Sequence, residues 1–282
     1  MPLLNDIRNV IGSKGAAGYS GLLDSFPSAS RAYALHLLRS DYSGALVRIR
    51  KDTAGQPEKD FYPDSNNELS LSSTDGAGTT LGSWIGSDSG YVVTWYDQSG
   101  NAQNATQSTT ANQPQIISSG SLITQNGKAA MDANMDWLTF TQFQQAAATI
   151  LSVVKSDVPD VVTGTIAGQS GSLSNWIAIH NTQHSVRING TEVTFPSSAN
   201  TSQQILCVFK DSTNGRVYKN GASLGTTSSW GAGNVTMTNI GAIFSGARYL
   251  DGRIQALIIW PTDLIASESE LNASINEYYG AY

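Results

Sequence analysis

Few side chains in this 282-residue chain are placed for covalent chemistry. Glycoside hydrolysis uses two carboxyl groups, roughly 5 to 10 Å apart, one giving a proton and the other acting as nucleophile or base. The carboxylates Asp132, Asp136, Glu192, Asp211 and Asp251 show no paired spacing, and Asp136 and Asp251 read as turn or strand-edge residues. His180 and His184 are four apart, a spacing that puts two ligands on one helix face. Here the surroundings read as strand and hairpin, so no metal site is expected. Glu58, Asp60, Asp64 and Glu68 do not follow the calcium-loop pattern. With three histidines and no Gly-x-Ser-x-Gly elbow, a serine triad has no sequence support. The single cysteine, Cys207, lies in the apolar run Ile205–Phe209 and reads as a small buried hydrophobe. Catalytic residues and cofactors are therefore expected to be absent.

Recognition without chemistry fits better. Sugars are gripped by aromatic faces and by amide, arginine or carboxylate groups that reach hydroxyls. The candidates are Trp176 and His180 on strands, and Trp230, Arg248 and Tyr249 in loops. Trp230, flanked by Ser-Ser and Gly-Ala-Gly, is the tryptophan expected to be exposed, while Trp95, Trp137 and Trp260 are expected in the core.

The elements that would hold these residues are mostly strands. Tyr91 to Tyr96 is an uncharged β-branched and aromatic run that stops at the Asx-rich turn Asp97-Gln98-Ser99-Gly100-Asn101. Val47-Arg48-Ile49-Arg50 alternates, which predicts a half-buried strand with a solvated arginine face. Further short strands run from Gln115 to Trp260, among them the continuous apolar run Thr149–Val154. Asn126-Gly127, Asn189-Gly190 and Asn220-Gly221 mark tight turns. A helix is expected from Ser28 or Ser30 to Tyr42, with Ala32, Leu35 and Leu38 at helical spacing and His36 as a packing residue. A second is expected from Ala266 to Tyr279 with Ser267 as cap, and Trp84-Ile85 should end a short one. Residues 1–18 read as an amphipathic helical arm ahead of one sandwich domain, 19–282. Many short strands without βαβ alternation predict an all-β fold, a jelly-roll sandwich.

The segment Trp95-Tyr96-Asp97-Gln98-Ser99-Gly100-Asn101-Ala102-Gln103-Asn104-Ala105-Thr106-Gln107 resembles the Tyr-Asp-Gln-Ser-Gly-x-x-Asn-x-x-x-Gln stretch of the arabinofuranosidase B catalytic domain. It is also similar to a stretch in phage virion proteins with a laminin-G or concanavalin-like sandwich. Ser30–Leu35 and Asp41–Arg50 resemble the opening of the same family, and Tyr218-Lys219-Asn220-Gly221 with Leu224 resembles a laminin-G-like hairpin. The resemblance implies a concanavalin A-like jelly roll. It also implies a catalytic Glu in the region matched by Gly168–Asn181, and a catalytic Asp after an Ile-Gly strand. The first region holds no Asp or Glu, and Ile243 stands opposite the acid within Ile240–Ser245. Scaffold without the family's activity is the expectation.

Charge narrows the partners. At 13% charged residues and net −6, with no Lys/Arg run, the chain carries no nucleic-acid footprint. No run is long enough to cross a bilayer, so membrane insertion is not expected, and Met1–Ile11 carries charges where a leader would be apolar. A polar, charge-poor surface and the phage resemblance together suggest a non-catalytic virion surface protein, a head or tail fibre component made in the host cytoplasm. It would bind host-surface polysaccharide, attach to other virion proteins through the arm and form a homo-oligomer. The alternatives are a purely structural decoration or fibre-base protein, and a glycoside hydrolase with relocated carboxylates.

Overall fold

The computed structural model describes residues 18–158, 164–180, 182–197, 201–244 and 247–282. The expected arm, apart from Gly18, lies outside them. The chain forms two antiparallel layers. The first is organised on the strand Gly252–Trp260, which pairs with Arg31–Ala34 on one side and Ala148–Ser156 on the other. It continues through Gln204–Lys210, Gly215–Lys219 and Ala222–Thr227. The second runs Glu58–Phe61, Val47–Lys51, Gly90–Trp95, Ala105–Thr106, Leu138–Gln145 and Val235–Ile240. It ends in Thr165–Gly168, Trp176–His180, Gln183–Ile188 and Thr191–Pro196. Gln115–Ser118 and Met131–Asp132 stitch the two together at one margin. This is the expected all-β jelly-roll sandwich.

Burial explains the sequence patterns. Between the layers, Ile150, Leu206, Leu257 and Ile259 meet Val47, Val92, Trp95, Leu138 and Ile179. The opposite face of the first layer is covered by the helices Leu22–Ser25 and Glu268–Tyr279. A strand buried on both faces reads as a continuous apolar run, as Thr149–Val154 does. Leu138–Gln145, open on one face, alternates. Leu271, Ile275 and Tyr279, four apart, form the buried stripe of the C-terminal helix, at about 2 kcal/mol each. Gly280 closes that helix in the left-handed conformation at φ 55°. Ser267 stands at the cap position, but its hydroxyl makes no capping bond. The three Asn-Gly turns have both residues at positive φ.

The helix expected from Ser28 or Ser30 to Tyr42 is absent. Arg31–Ala34 is a strand, and a one-turn helix lies before it at Leu22–Ser25. Residues 31–38 are all buried, so the helical spacing of the apolar positions carries no face information. Their backbone groups bond instead to Gly252–Trp260 and to the Asp97-Gln98 turn. His36 is a packing residue, stacked on Tyr278 at 3.7 Å and bonded to the Tyr279 hydroxyl at 3.2 Å. Burial lowers its pKa to about 3, so it is neutral at physiological pH. The arginine face is not simply solvated. Arg48 is in a two-pronged ion pair with Asp60 at 2.8 and 2.9 Å, and Arg50 is buried. Cys207 is buried as expected.

Candidate functional site

The Asp97 turn is a clamp. As the Gly90–Trp95 strand ends, the Asp97 carboxylate accepts bonds from the backbone N–H of Ala32 (2.8 Å), Ser99 (2.9 Å) and Gln103 (3.0 Å) and from the Ser99 hydroxyl (2.7 Å). Gln98 accepts from Leu38 N–H at 2.8 Å and donates to the carbonyls of His36 and Ala34 at 2.8 and 3.2 Å. Asn101 donates to the Ala29 and Ser30 carbonyls. The side chains of Asp97, Gln98 and Asn101 thus seat residues 29–38 on the sandwich.

The tail of the same motif builds a groove. Gln107 donates to the Trp137 carbonyl at 3.0 Å, and its own carbonyl accepts from the Gln113 amide at 2.9 Å. Gln113 in turn accepts from Arg50 Nε at 2.6 Å. Above this relay lies an open groove of about 280 Å³, lined chiefly by Arg50, Asp52, Gln56, Tyr91, Gln113 and Asp136. Arg50 is only 4% exposed. Tyr91 is opposite it in strand register, with its ring centroid 4.7 Å from the guanidinium carbon, a cation–π contact. Arg50 Nη1 reaches Asp52 Oδ1 at 3.2 Å. Nη2 has no bond among the described residues, nor has Asp52 Oδ2. An arginine held on three sides with one nitrogen to spare is preorganised for a ligand.

Asp136 enters the groove from the turn between the Met131–Asp132 and Leu138–Gln145 strands. Its N–H bonds to the Ala133 carbonyl at 2.8 Å, and Met135, at φ 62°, bonds through N–H to the Leu250 carbonyl at 3.2 Å. Burial, with a smaller push from the Asp132 carboxylate, raises the Asp136 pKa to about 7. Asp132 itself is ion-paired with Arg253 at 2.6 Å. Together the groove presents donors, acceptors and a half-buried aromatic ring, a set suited to a hydroxyl-rich ligand.

The residues singled out from the sequence fall elsewhere. Trp176, His180 and Arg248 do come together: the Trp176 ring is 6.0 Å from His180, and the Arg248 guanidinium lies 5.4 Å from it. Trp176 is fully buried in a small cluster with Ala178 and Ile243, so it offers no open face for stacking. Tyr249 pairs with Trp137 at 6.1 Å, and Trp137 is half-buried, not in the core as expected. Trp230 corrects the reading most sharply. It is 3% exposed, packs edge-on against Phe195 and fills the space left by Gly215, where a Cβ would sit 1.9 Å from the indole. Flanking serines and glycines suggested exposure, but they serve a tight turn over a pocketed ring. His180 and His184 occupy opposite faces of their hairpin, since His184 is in register with Ile179.

The two segments set against the family's catalytic carboxylates meet in space. Thr165–Gly168 pairs with Trp176–His180, and Ile243 packs on Trp176. That region is filled by aromatic and apolar side chains. The groove residues Arg50, Asp52, Tyr91 and Gln113 were missed. The one available signal was Arg50 alternating with the core residues Val47 and Ile49, and burial of an arginine at such a position is set by its partners.

No protein-family model and no curated protein sequence matches the chain. Among solved structures, the chain is similar to a GH54 α-L-arabinofuranosidase soaked with a cyclic sulfate inhibitor. There the TM-score is 0.69 at 12% identity, over 93% of this chain and 65% of that one. It is also similar to an arabinofuranosidase complexed with arabinofuranosyl-α-1,2-xylobiose, with TM-score 0.68 at 14% identity, over 90% of this chain and 63% of that one. The chain thus spans less than two thirds of either structure, and at these identities the likeness establishes the fold.

Proposed function

We propose that this protein binds a glycan in the Arg50–Asp136 groove. The observation that carries the reading is Arg50, buried yet with one terminal nitrogen unengaged among the described residues, beside two carboxyl groups and the Tyr91 ring. A sugar hydroxyl oxygen can accept a hydrogen bond from Arg50 Nη2. A sandwich of this fold is known in complex with arabinofuranosyl-α-1,2-xylobiose, which supports a saccharide as ligand class. The finer reading places the protein on a virion surface, where it would engage host polysaccharide. Its support is the resemblance of the Asp97 segment to phage proteins and a surface poor in charge.

The test is a glycan array that includes bacterial envelope polysaccharides, probed with wild type, Arg50→Lys and Tyr91→Ala. Wild type is expected to bind a subset of glycans. Arg50→Lys keeps the charge but loses the fork that holds Gln113 and Asp52, and should weaken binding about tenfold or more. Folded wild type that binds nothing, or an Arg50→Lys variant that binds equally well, would overturn the proposal.

A further inference from the structure

We infer that the groove also hydrolyses the neutral glycoside it holds, with Asp136 as proton donor and Asp52 as the base that activates water. The inference rests on the glycan-binding reading and goes beyond it. Three features carry it. First, the two carboxyl groups reach one groove from separate parts of the chain, Asp52 just past the Val47–Lys51 strand and Asp136 from the turn before Leu138–Gln145. Second, their surroundings differ in the sense that acid–base catalysis requires. Asp52 is ion-paired through Oδ1 to Arg50, about half exposed, with Oδ2 unengaged among the described residues. Asp136 makes no hydrogen bond or ion pair through its carboxyl among the described residues, and burial favours its protonated form up to about pH 7. Third, Arg50 lies between partners that fix it, so it can orient a substrate hydroxyl without rearranging.

The charges select the substrate. Arg50 and Asp52 cancel, and a protonated Asp136 adds none, so the groove has no surplus cation for a uronate or sialate carboxylate. A neutral sugar fits.

The step balances with water as the only co-reactant. The Asp136 carboxyl gives its proton to the glycosidic oxygen as the bond from that oxygen to the anomeric carbon breaks. Water adds to the anomeric carbon, and its proton passes to Asp52 Oδ2. The products are a free reducing sugar and the released alcohol. Solvent then returns a proton to Asp136 and takes one from Asp52.

The experiment takes the full chain and a neutral glycan that binds it on the array, and measures release of reducing ends and binding separately. Asp136→Asn and Asp52→Asn are compared with wild type, with folding checked by circular dichroism. Wild type is expected to release reducing ends, and either variant should lose about 10²–10⁴-fold in rate, far more than whatever it loses in glycan binding measured on the same preparation. The rate should fall as pH rises through about 7, as Asp136 ionises against Asp132 (paired to Arg253), Asp52 and Arg50. A glycan that binds wild type but stays intact from pH 4 to 8 would overturn hydrolysis and leave binding standing. If no glycan binds, both fall. Cleavage that survives in Asp136→Asn would also overturn the assignment.

Discussion

Replacing Asp97 by alanine should cost the fold heavily. The carboxylate collects four bonds of 2.7–3.0 Å, three of them from backbone N–H groups, and is itself 5% exposed. Alanine leaves the N–H groups of Ala32, Ser99 and Gln103 facing an apolar methyl, and Ala32 is fully buried. Each stranded buried donor costs about 1–3 kcal/mol. The Ser99 hydroxyl can turn to the Ser30 carbonyl, 3.4 Å away, and recovers part of its share. The total is about 4 kcal/mol, against a net stability of about 5–15 kcal/mol for an ordinary domain. Asparagine keeps one acceptor oxygen for Ala32 and Ser99 but turns an amide donor toward Gln103 N–H, so its cost should be nearer 2 kcal/mol. Equilibrium urea unfolding measures both as shifts of the midpoint at constant slope. Because the clamp touches no groove residue directly, the folded Asp97→Asn variant should keep the wild-type profile on the glycan array. A loss below 1 kcal/mol for alanine, or lost glycan binding in a stable asparagine variant, would refute the clamp as this turn's role.

Two further outcomes follow from buried groups. Asp136 has its folded pKa raised from 3.8 to about 7, so the folded state holds its proton where the unfolded chain has released it. The stability this confers is complete below about pH 4 and lost as pH rises to about 7. Asp136→Asn should therefore outlast wild type in thermal melts by a margin that opens between pH 4 and 7 and stays constant above. For a half-buried carboxyl screened by solvent the margin is about 1–2 kcal/mol, and an unchanging gap across that range would show the carboxyl to be unstrained. Gly215→Ala puts a methyl 1.9 Å from the Trp230 ring, so the indole must leave its pocket. A loss of about 2–3 kcal/mol with red-shifted tryptophan emission is expected, and unchanged emission would contradict the packing.

The fold was legible because its strands alternate or run apolar according to which faces are covered, and because three Asn-Gly pairs mark their turns. What failed has a common cause. Residues 31–38 show helical spacing, yet all are buried, and the side chains that capture their backbone come from Asp97 and Gln98, some 60 residues away. Trp230 looked exposed because its neighbours are small, when one of the small residues that matter, Gly215, lies on a separate strand beneath it. The groove escaped for the same reason. Arg50 follows the same alternation as Arg48, and only the arrival of Tyr91 from the next strand and Gln113 from a loop separates a buried groove-facing arginine from an ion-paired surface one.

The Ile240-Gly241 pair shows how one bend can serve both sides of a sheet. In the resembled family an Ile-Gly strand leads into the acid. Here Ile243 follows and packs on Trp176. Gly241 nonetheless has a geometric duty. It sits at φ 84°, where a side chain is strained, and a Cβ there would stand 2.7 Å from the Asp136 carbonyl oxygen. Its N–H bonds to Ile166 and its carbonyl accepts from Leu250, which in turn receives Met135. The bend at Gly241 thus lets the Asp136 turn lie close against the sheet. The same glycine that divides the Val235–Ile240 strand from the filled region helps position Asp136 on the other side. Any side chain at this bend would push the Asp136 turn off the sheet, so the turn packed against Gly241 is what requires a glycine there.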